Sequence, residues 1–559
     1  MIYAPTVGDA LVAIEGHTGK ELWRFKAKGR PAHRGLCYWA GDETHTARLL
    51  VNFGSALWAI EPQSGEAITS FGEGGQIQTG ASVVAGAVYQ HVFMLPGYNK
   101  DVWGIDVRTG ERLWTFHTLP EAGEFGHDTW DGQETGANSW GGMALDAQRG
   151  LAFIATGSPK PNFIGMHHQG SNLFANCILA LDALTGAYQW HFQEIHHDIW
   201  DLDIPASPNL VTVVRDGVRV DAVAQVTKIG NTLVLDRVTG KPLFPMQYRR
   251  APVSPLPGER TWPYQPDIQI PEPFARQEFT AEDVTTRNSE AQSYIEQRIA
   301  GANFGWFQAF EESKATILYG IHGGAEWTGA AYNPETNCIY VTSNELAWSI
   351  TVFQPEDVRR DPNAPPTPGQ LVYAEQCVKC HGTHREGGNL APPLHSLEKR
   401  IQEEALRDLL ITGRNLMPAA ESLDEAMTDS LVDFLYNRDI DPALQTSDHD
   451  APLHYSFTGF TKLLDHEGYP GSRTPWGTLN CVNLNTGKID WKVPLGQYPE
   501  LAEWGATDTG AENFGGAMVT AGGLVFCGGT PDELLRAFDS ATGEELWQAK
   551  LPWGGYAPP

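Results

Sequence analysis

Residues 196–203 read His196-His197-Asp198-Ile199-Trp200-Asp201-Leu202-Asp203. Two imidazoles, three carboxylates and an indole within eight positions can accept protons, hold cations and bind polar ligands, and they are too polar for an ordinary strand. A strand-like run, Ala187 to Phe192, precedes the stretch, and the turn-rich Ile204-Pro205-Ala206-Ser207-Pro208 follows it. That places it on a loop leaving a sheet, where functional groups are commonly mounted. A single Asp-x-Asp would be a solvated, capping turn; this density of titratable groups points to a site. A second constellation is Cys377-Val378-Lys379-Cys380-His381. Cys-x-x-Cys-His is the attachment signature of a c-type haem, with two thioethers to the porphyrin and a histidine on the iron. A zinc or redox Cys-x-x-Cys is the alternative, but zinc would want a second ligand pair nearby. Met417, followed by Pro418 and preceded by Gly413-Arg414-Asn415-Leu416, suits a sixth iron ligand on a loop ahead of a helix.

These groups must be held by something, and the chain shows what. Ala10 to Glu15, His17-Thr18-Gly19-Lys20 and Glu21-Leu22-Trp23 form a strand, a tight turn and a strand, with Gly19 suited to the left-handed turn position. The pattern returns with Thr109-Gly110 and Trp114, Thr185-Gly186 and Trp190, Thr486-Gly487 and Trp491, and Thr542-Gly543 and Trp547. Weaker copies without the tryptophan lie at Ser64-Gly65 and Thr239-Gly240. One such hairpin means nothing; seven copies are a repeat architecture. Each unit is a small sheet that cannot bury its own faces, and radial stacking into a β-propeller protects the edges.

The long gap between the copies at Gly240 and Asn483 holds inserted material. Pro362 to Pro368 reads as a linker, and Gly369 to Gln376 as a helix running into the Cys-x-x-Cys-His. Ser422-Leu423-Asp424-Glu425 is a capping box, opening a helix with Leu423, Met427, Leu431, Phe434 and Leu435 on one face. The expected division is 1–360 and 443–559 for the propeller and 361–442 for a small all-α cytochrome c domain with its linker.

Composition excludes several classes. The 559 residues carry a net charge of −29, which argues against nucleic acid or an anionic membrane as partner. No apolar run is long enough to span a bilayer, and Met1-Ile2-Tyr3-Ala4-Pro5 has no signal-peptide pattern. Seven cysteines, far apart except for Cys377 and Cys380, are not a disulfide framework.

Taken together, the chain resembles the PQQ-dependent dehydrogenases, in the branch similar to membrane glucose dehydrogenase, with an inserted cytochrome c. The resemblance rests on His33 to Trp39, the repeats, His196 to Asp203, Thr227 to Asn231, Ala521 to Phe526 and Leu535 to Asp539. It implies an all-β, eight-bladed propeller holding pyrroloquinoline quinone (PQQ) near its axis, in the periplasm. PQQ is a flat o-quinone with three carboxylates, so its site needs aromatic surface, cations and hydrogen-bond donors. The resemblance assigns Arg34 to a PQQ carboxylate, Thr79 to a cofactor contact and Trp140 to the floor under the ring. Trp327 and Asn513 complete the expected contacts. Asp201 matches the family's catalytic aspartate, with Asp198 and Asp203 the next candidates on the loop, and Lys228 matches the cation beside the quinone C5 oxygen. The family usually binds Ca²⁺ with a Glu and an Asn. Here Ser158 holds the Asn position, Asn162 is nearby, no matching Glu is found, and the expected ligands are Ser158 and Asn162.

The expected function is a quinohaemoprotein dehydrogenase. It would oxidise an alcohol, polyol or aldose with PQQ and pass electrons through haem c to a cytochrome, oxidase or quinone. The alternative is a non-catalytic propeller scaffold with a cytochrome relay; such a protein would lack the Arg34, Trp140, Asp201 and Lys228 set. The family pattern has further strands before and after this chain, so an incomplete last blade is also expected.

With a haem-attachment system in an oxidising compartment, the protein should carry haem that survives denaturing electrophoresis. Met417→Ala should keep that haem and lower its midpoint potential, because a thioether favours Fe(II); an unchanged potential would assign the sixth ligand elsewhere.

Overall fold

The computed structural model describes residues 1–97, 101–132, 135–354, 365–382, 385, 391–392, 394–395, 397–414, 417–420, 423–439, 455–503 and 505–557. The expected domain boundaries at 360/361 and 442/443, and Asn415, Leu416 and Ser422, lie outside these residues.

Each repeat copy forms one antiparallel sheet, and seven such sheets follow one another. The first has three strands, Ile2–Pro5, Ala10–Ile14 and Glu21–Lys26. The fifth also has three, Asn209–Arg215, Val218–Val226 and Thr232–Asp236. The other five have four strands, the last running from Ala517–Val519 to Glu545–Lys550. Successive sheets meet through their first strands: Cys37–Trp39 beside Ala87–Tyr89, then Met143–Asp146, Asn209–Arg215, Ala330–Asn333 and Ala517–Val519. This is the radial order expected of a propeller, and its core lies between the sheets in a series of separate apolar clusters.

The repeat residues show why it is a repeat. The acid that opens each turn ties the loop to itself: Asp182 Oδ1 accepts from the Leu184 and Thr185 amides, and Asp236 and Asp539 do the same. The turn glycine has positive φ, and it also receives the tryptophan of the preceding sheet. A Cβ on Gly240 would lie 2.5 Å from the Trp190 ring, and one on Gly543 2.6 Å from Trp491. The indole N–H then donates to the turn carbonyl, Trp23 to Pro62, Trp190 to Arg237 and Trp491 to Ser540. Where the preceding copy lacks the tryptophan, Gly110 is instead covered by Phe71 and Ile77, and Gly487 by Phe244 and Ile270.

An additional sheet includes Ala315–Leu318, which precedes the sixth sheet, and Trp348–Phe353 and Ser456–Phe457, which lie between that sheet's second and third strands. The last two strands pair antiparallel, Val352 opposite Phe457, so the chain leaves and re-enters the β structure at adjacent points. Among the described residues, what lies between includes the helices Pro368–Gln376, Val378–His381, Glu403–Thr412 and Glu425–Leu435. These helices share a cluster of Val372, Tyr373, Leu410, Leu431 and Phe434. The first helix is capped by Thr367 with Gln370. The last differs from its expected start, because the Asp424 carboxylate caps it by accepting from the Met427 amide. That register turns Met427 outward, 37% exposed, and buries Val432 with Leu431, Phe434 and Leu435.

Trp190→Ala should lower stability to chemical denaturation by about 3–5 kcal/mol, the cost of deleting a buried aromatic side chain. Gly240→Ala, which forces a Cβ into the same ring at positive φ, should cost about 1–3 kcal/mol. Wild-type midpoints for both would show that the indole-on-glycine contact does not hold adjacent sheets together.

Candidate functional site

The loop after the strand Tyr188–Gln193 is buried along its length: His197, Asp198, Trp200 and Asp203 are each at most 3% exposed. A polar segment survives there only because its groups are partnered. Asp198 spends both oxygens on the loop and its neighbours. Oδ1 accepts from the Trp200 amide, and Oδ2 from the Leu202 amide, the Ser158 hydroxyl and the Asn176 amide. His197 donates to the Gly170 carbonyl or to Glu259 Oε1, 2.8 Å away, according to its tautomer. Glu194, at the root of the loop, accepts from the Thr227 hydroxyl and the Asn231 amide, both at 2.9 Å. It thereby fixes the 227–231 turn that carries Lys228. Burial pushes the Glu194 carboxyl up to about 7.

With that scaffold in place, the chemistry-bearing groups converge. Lys228 Nζ lies 2.6 Å from Asp203 Oδ1 and 3.5 Å from Asp201 Oδ2, and it donates to the Asp201 carbonyl at 3.1 Å. Trp140 Nε1 donates to the other Asp203 oxygen at 2.5 Å, and Lys228 stands 5.6 Å from the Trp140 ring centre. The Arg34 guanidinium is sandwiched between Trp140 and Trp327, 5.0 and 4.9 Å from their centres. Trp327 stacks in turn on Phe514, 5.0 Å away and nearly parallel. Asp201 adopts φ +61°, a left-handed conformation that costs an aspartate about 1–2 kcal/mol. Burial opposes its charge, but the ammonium groups of Lys228 and Lys160 hold its carboxyl below the usual range. Burial likewise opposes the Lys228 charge, and Asp201 and Asp203 hold that ammonium well above the ordinary lysine range.

Five of the expected residues, Arg34, Trp140, Asp201, Lys228 and Trp327, thus meet in one cluster. Thr79 accepts from Asn52 Nδ2 at 2.9 Å, close in the chain to Val83, whose carbonyl accepts the Arg34 amide. Asn513 adjoins Phe514 but spends its groups on the neighbouring sheet, exchanging amide bonds with Asn344 and donating to the Ser343 carbonyl. Asp198 is a scaffold carboxylate rather than a second base. Cations and indole faces around one point fit a planar anionic quinone.

The haem residues also fit their group. His381 is 7% exposed and its Nδ1 is 2.8 Å from the Pro392 carbonyl, which leaves Nε2 for iron. Met417 and Cys377 pack against the same apolar cluster.

The calcium donors do not fit. Ser158 points its hydroxyl at Asp198. Asn162 Oδ1 instead accepts from Lys160 Nζ at 2.7 Å, while Asn162 Nδ2 donates to Asp201 Oδ1 at 2.8 Å. Lys160 is also 3.4 Å from Asp201. An ammonium therefore sits beside the oxygens expected to take a divalent cation.

Lys160 and Glu326 were not legible as site residues. Glu326 precedes Trp327, is 6% exposed and makes no side-chain hydrogen bond among the described residues. Burial, countered in part by Lys228, pushes its carboxyl up to about 8. Its place beside Trp327 was the only available signal, and nothing in the sequence shows that Lys228, Asp203 and Arg34 surround it.

The model of the "Glucose/ethanol/alcohol dehydrogenase, beta-propeller domain" matches residues 1–83, 79–386 and 408–559. The chain belongs to this PQQ β-propeller family. A second model, "Cytochrome C oxidase, cbb3-type, subunit III", matches residues 364–435. Quinoprotein glucose dehydrogenase A of Acinetobacter calcoaceticus is 26% identical over 99% of this chain and 67% of its own length. The glycerol dehydrogenase large subunit of Gluconobacter thailandicus is 25% identical over 100% of the chain and 73% of its own. The chain thus spans about two thirds of the length of these relatives. Among solved structures, quinohemoprotein alcohol dehydrogenase from Comamonas testosteroni superposes with a TM-score of 0.58 at 19% identity, over 100% of this chain and 66% of that one. The fold is therefore a β-propeller of this family, whose named members are oxidoreductases. No helix among the described residues is long and apolar enough to cross a membrane.

A pH test follows from Glu326. Its carboxyl is raised from 4.5 to about 8 in the folded protein, so folded protein holds the proton more tightly than unfolded chain. Its contribution is full below 4.5 and is lost as pH rises toward about 8. Glu326→Gln, neutral throughout, should melt higher than wild type by a margin that widens from pH 5 to pH 8.5, measured on cofactor-free protein. A constant margin would mean that Glu326 is held as an anion.

Proposed function

We propose that the protein oxidises a CH–OH substrate, an alcohol, polyol or aldose, with PQQ and passes the electrons through haem c to an external carrier. The observation that carries this reading is Asp201, kept ionised by two ammonium groups at the edge of the Arg34, Trp140 and Trp327 cluster. The alcohol, glucose and glycerol dehydrogenases among the relatives support it. PQQ, when bound, supplies an o-quinone able to take a hydride from an alcohol carbon. The residues of this chain do the rest. Trp140 offers an aromatic face, and Arg34 a guanidinium for a cofactor carboxylate. Lys228 places positive charge where reduction builds up negative charge. Asp201 takes the hydroxyl proton at a carboxylate oxygen, and Asn162, Lys160 and Lys228 hold that carboxylate in place. Asp203 is the more tightly held of the two, with Lys228 at 2.6 Å and Trp140 at 2.5 Å on its oxygens, whereas Asp201 Oδ2 has Lys228 only at 3.5 Å. Lys160 takes the place given in the family to a divalent cation, and no step here depends on calcium.

Electron exit through the helical segment is supported by its contacts. Pro392, whose carbonyl faces His381 Nδ1, lies against Gly459, where a Cβ would be 3.1 Å from the proline ring. Two residues earlier, Phe457 meets the buried Phe163 edge-on at 4.9 Å. The architecture we propose is an eight-bladed ring, seven blades of which carry the repeat here, with the helical segment as an inserted cytochrome c domain. Covalent haem would place the protein on the periplasmic side.

Asp201→Asn keeps the shape and removes the base. PQQ should still bind, and single-turnover reduction of the bound quinone by substrate should slow by roughly 10²- to 10⁴-fold. A wild-type rate in that variant would overturn the assignment. A bound quinone that no member of an alcohol, polyol and aldose panel reduces in wild-type protein would overturn the function.

A further inference from the structure

Far from this site, one repeat sheet departs from its siblings at three positions. In every repeat that keeps its tryptophan, the last two strands are joined through a bulge, so one residue before the tryptophan has no partner across the ladder. That residue is Leu22, Leu113, Gln189 and Leu546 in four copies, and Asp490 in the fifth. The residue opposite the tryptophan is Ala13, Gly104, Ala180 or Ala537 in the others, and Cys481 here. The residue facing the acid of the turn is Val92, Leu151 or Leu524 in three copies, and Cys338 here, facing Asn483. Where the siblings carry uncharged residues without thiols, this sheet carries two thiols and a carboxylate.

The three converge. The Cys338 and Cys481 sulfurs and a carboxylate oxygen of Asp490 all lie within 4.8 Å of one another. Cys338 Sγ is 3.7 Å from Asp490 Oδ2, and Asn483 Nδ2 donates to that oxygen at 3.2 Å. Tetrahedral zinc, with bonds of roughly 2.3 Å to sulfur and 2.0 Å to oxygen, separates its ligand atoms by about 3.5–3.8 Å. A disulfide suits the arrangement less well. Cys338 pairs with Asn483, and Cys481 with Tyr340, so the thiols are diagonal neighbours on adjacent strands. Diagonal positions have Cα atoms about 7–8 Å apart, beyond the usual disulfide span of about 4.4–6.8 Å. Both thiols are buried while Asp490 is exposed, which gives an ion a path in and leaves a fourth position to water. The site also closes the two strands that flank the helical insertion, Cys338–Asn344 and Gly477–Asn483. Cys338 stands at the opposite end of its strand from Asn344, roughly 20 Å away.

We propose that Cys338, Cys481 and Asp490 bind one thiophilic divalent cation, zinc by donor chemistry. Binding exchanges two thiol protons for two metal–sulfur bonds. The ion clasps the strands on either side of the insertion.

The test uses the haem-loaded full chain, in which Cys377 and Cys380 are blocked as thioethers, reduced and stripped of metal. Titration with Zn²⁺ against a chromogenic competitor should show one equivalent that the Cys338→Ala/Cys481→Ala variant lacks, with about two protons released. Co²⁺ should give sulfur-to-metal charge-transfer absorption in wild type only. Asp490→Asn, at an exposed position, should weaken zinc roughly tenfold or more without loss of fold, shown by an unchanged metal-free melt. Zinc should raise the wild-type melting temperature and leave the double variant unmoved. Equal zinc binding by wild type and the double variant would overturn the proposal. So would a disulfide between Cys338 and Cys481 in freshly isolated protein, detected by non-reducing peptide mass spectrometry.

Discussion

The arrangement at Lys228 is the constraint on which the rest of the site depends. One ammonium and two carboxylates, Asp201 and Asp203, are all at most 8% exposed. Charges removed from water cost several kcal/mol each unless they are paired and hydrogen-bonded. Here each charge is balanced by the others, by Lys160 and by Trp140. The balance also explains Glu326. Desolvation there, with Asp203 beside it, outweighs the pull of Lys228 and Arg34 and raises that carboxyl to about 8. The site is therefore a tuned set of charges, in which replacing one member shifts the rest.

Holding those charges in place takes a loop that no regular ladder could provide. Its own backbone amides are satisfied by Asp198, its root is tied to the Lys228 turn by Glu194, and His197 is tied to Glu259. Two residues in the stretch, His197 and Asp201, have positive φ; that strain persists because the surrounding bonds over-determine it. The repeat sheets supply the rigid frame, fastened one to the next by an indole over a glycine at Gly65, Gly186, Gly240 and Gly543 and by Phe and Ile side chains at Gly110 and Gly487. Catalytic precision here rests on a framework whose stabilising contacts lie far from the chemistry.

The helical segment enters where two strands already pair, so an insertion of that size does not break the sheet it interrupts. Among the described residues, its contacts with the β structure include Gly459 on Pro392 and Arg400 over the Phe353 ring at 5.5 Å. Pro392 thus serves both the inner face of the segment, through His381, and its outer contact with the sheets.

The repeat, the helical segment, the Cys-x-x-Cys-His constellation and the acidic loop at 196–203 were legible in the sequence, because each rests on local spacing. A turn glycine three residues from a β pattern, or a histidine following Cys-x-x-Cys, needs no knowledge of distant neighbours. Matching to the family pattern extended this to Arg34, Trp140, Asp201, Lys228 and Trp327. What only the tertiary structure decided were pairings between residues far apart in the chain. The ammonium of Lys160 between Asn162 and Asp201 was one, displacing the expected calcium ligands. Glu326 against Lys228, the division of labour among Asp198, Asp201 and Asp203, and the meeting of Cys338 with Cys481 were others. Each is set by which strands become neighbours and which side of a pleat or bulge a side chain takes. Local sequence constrains the conformation of a segment, but a carboxylate's charge and role depend on the partners that folding brings to it.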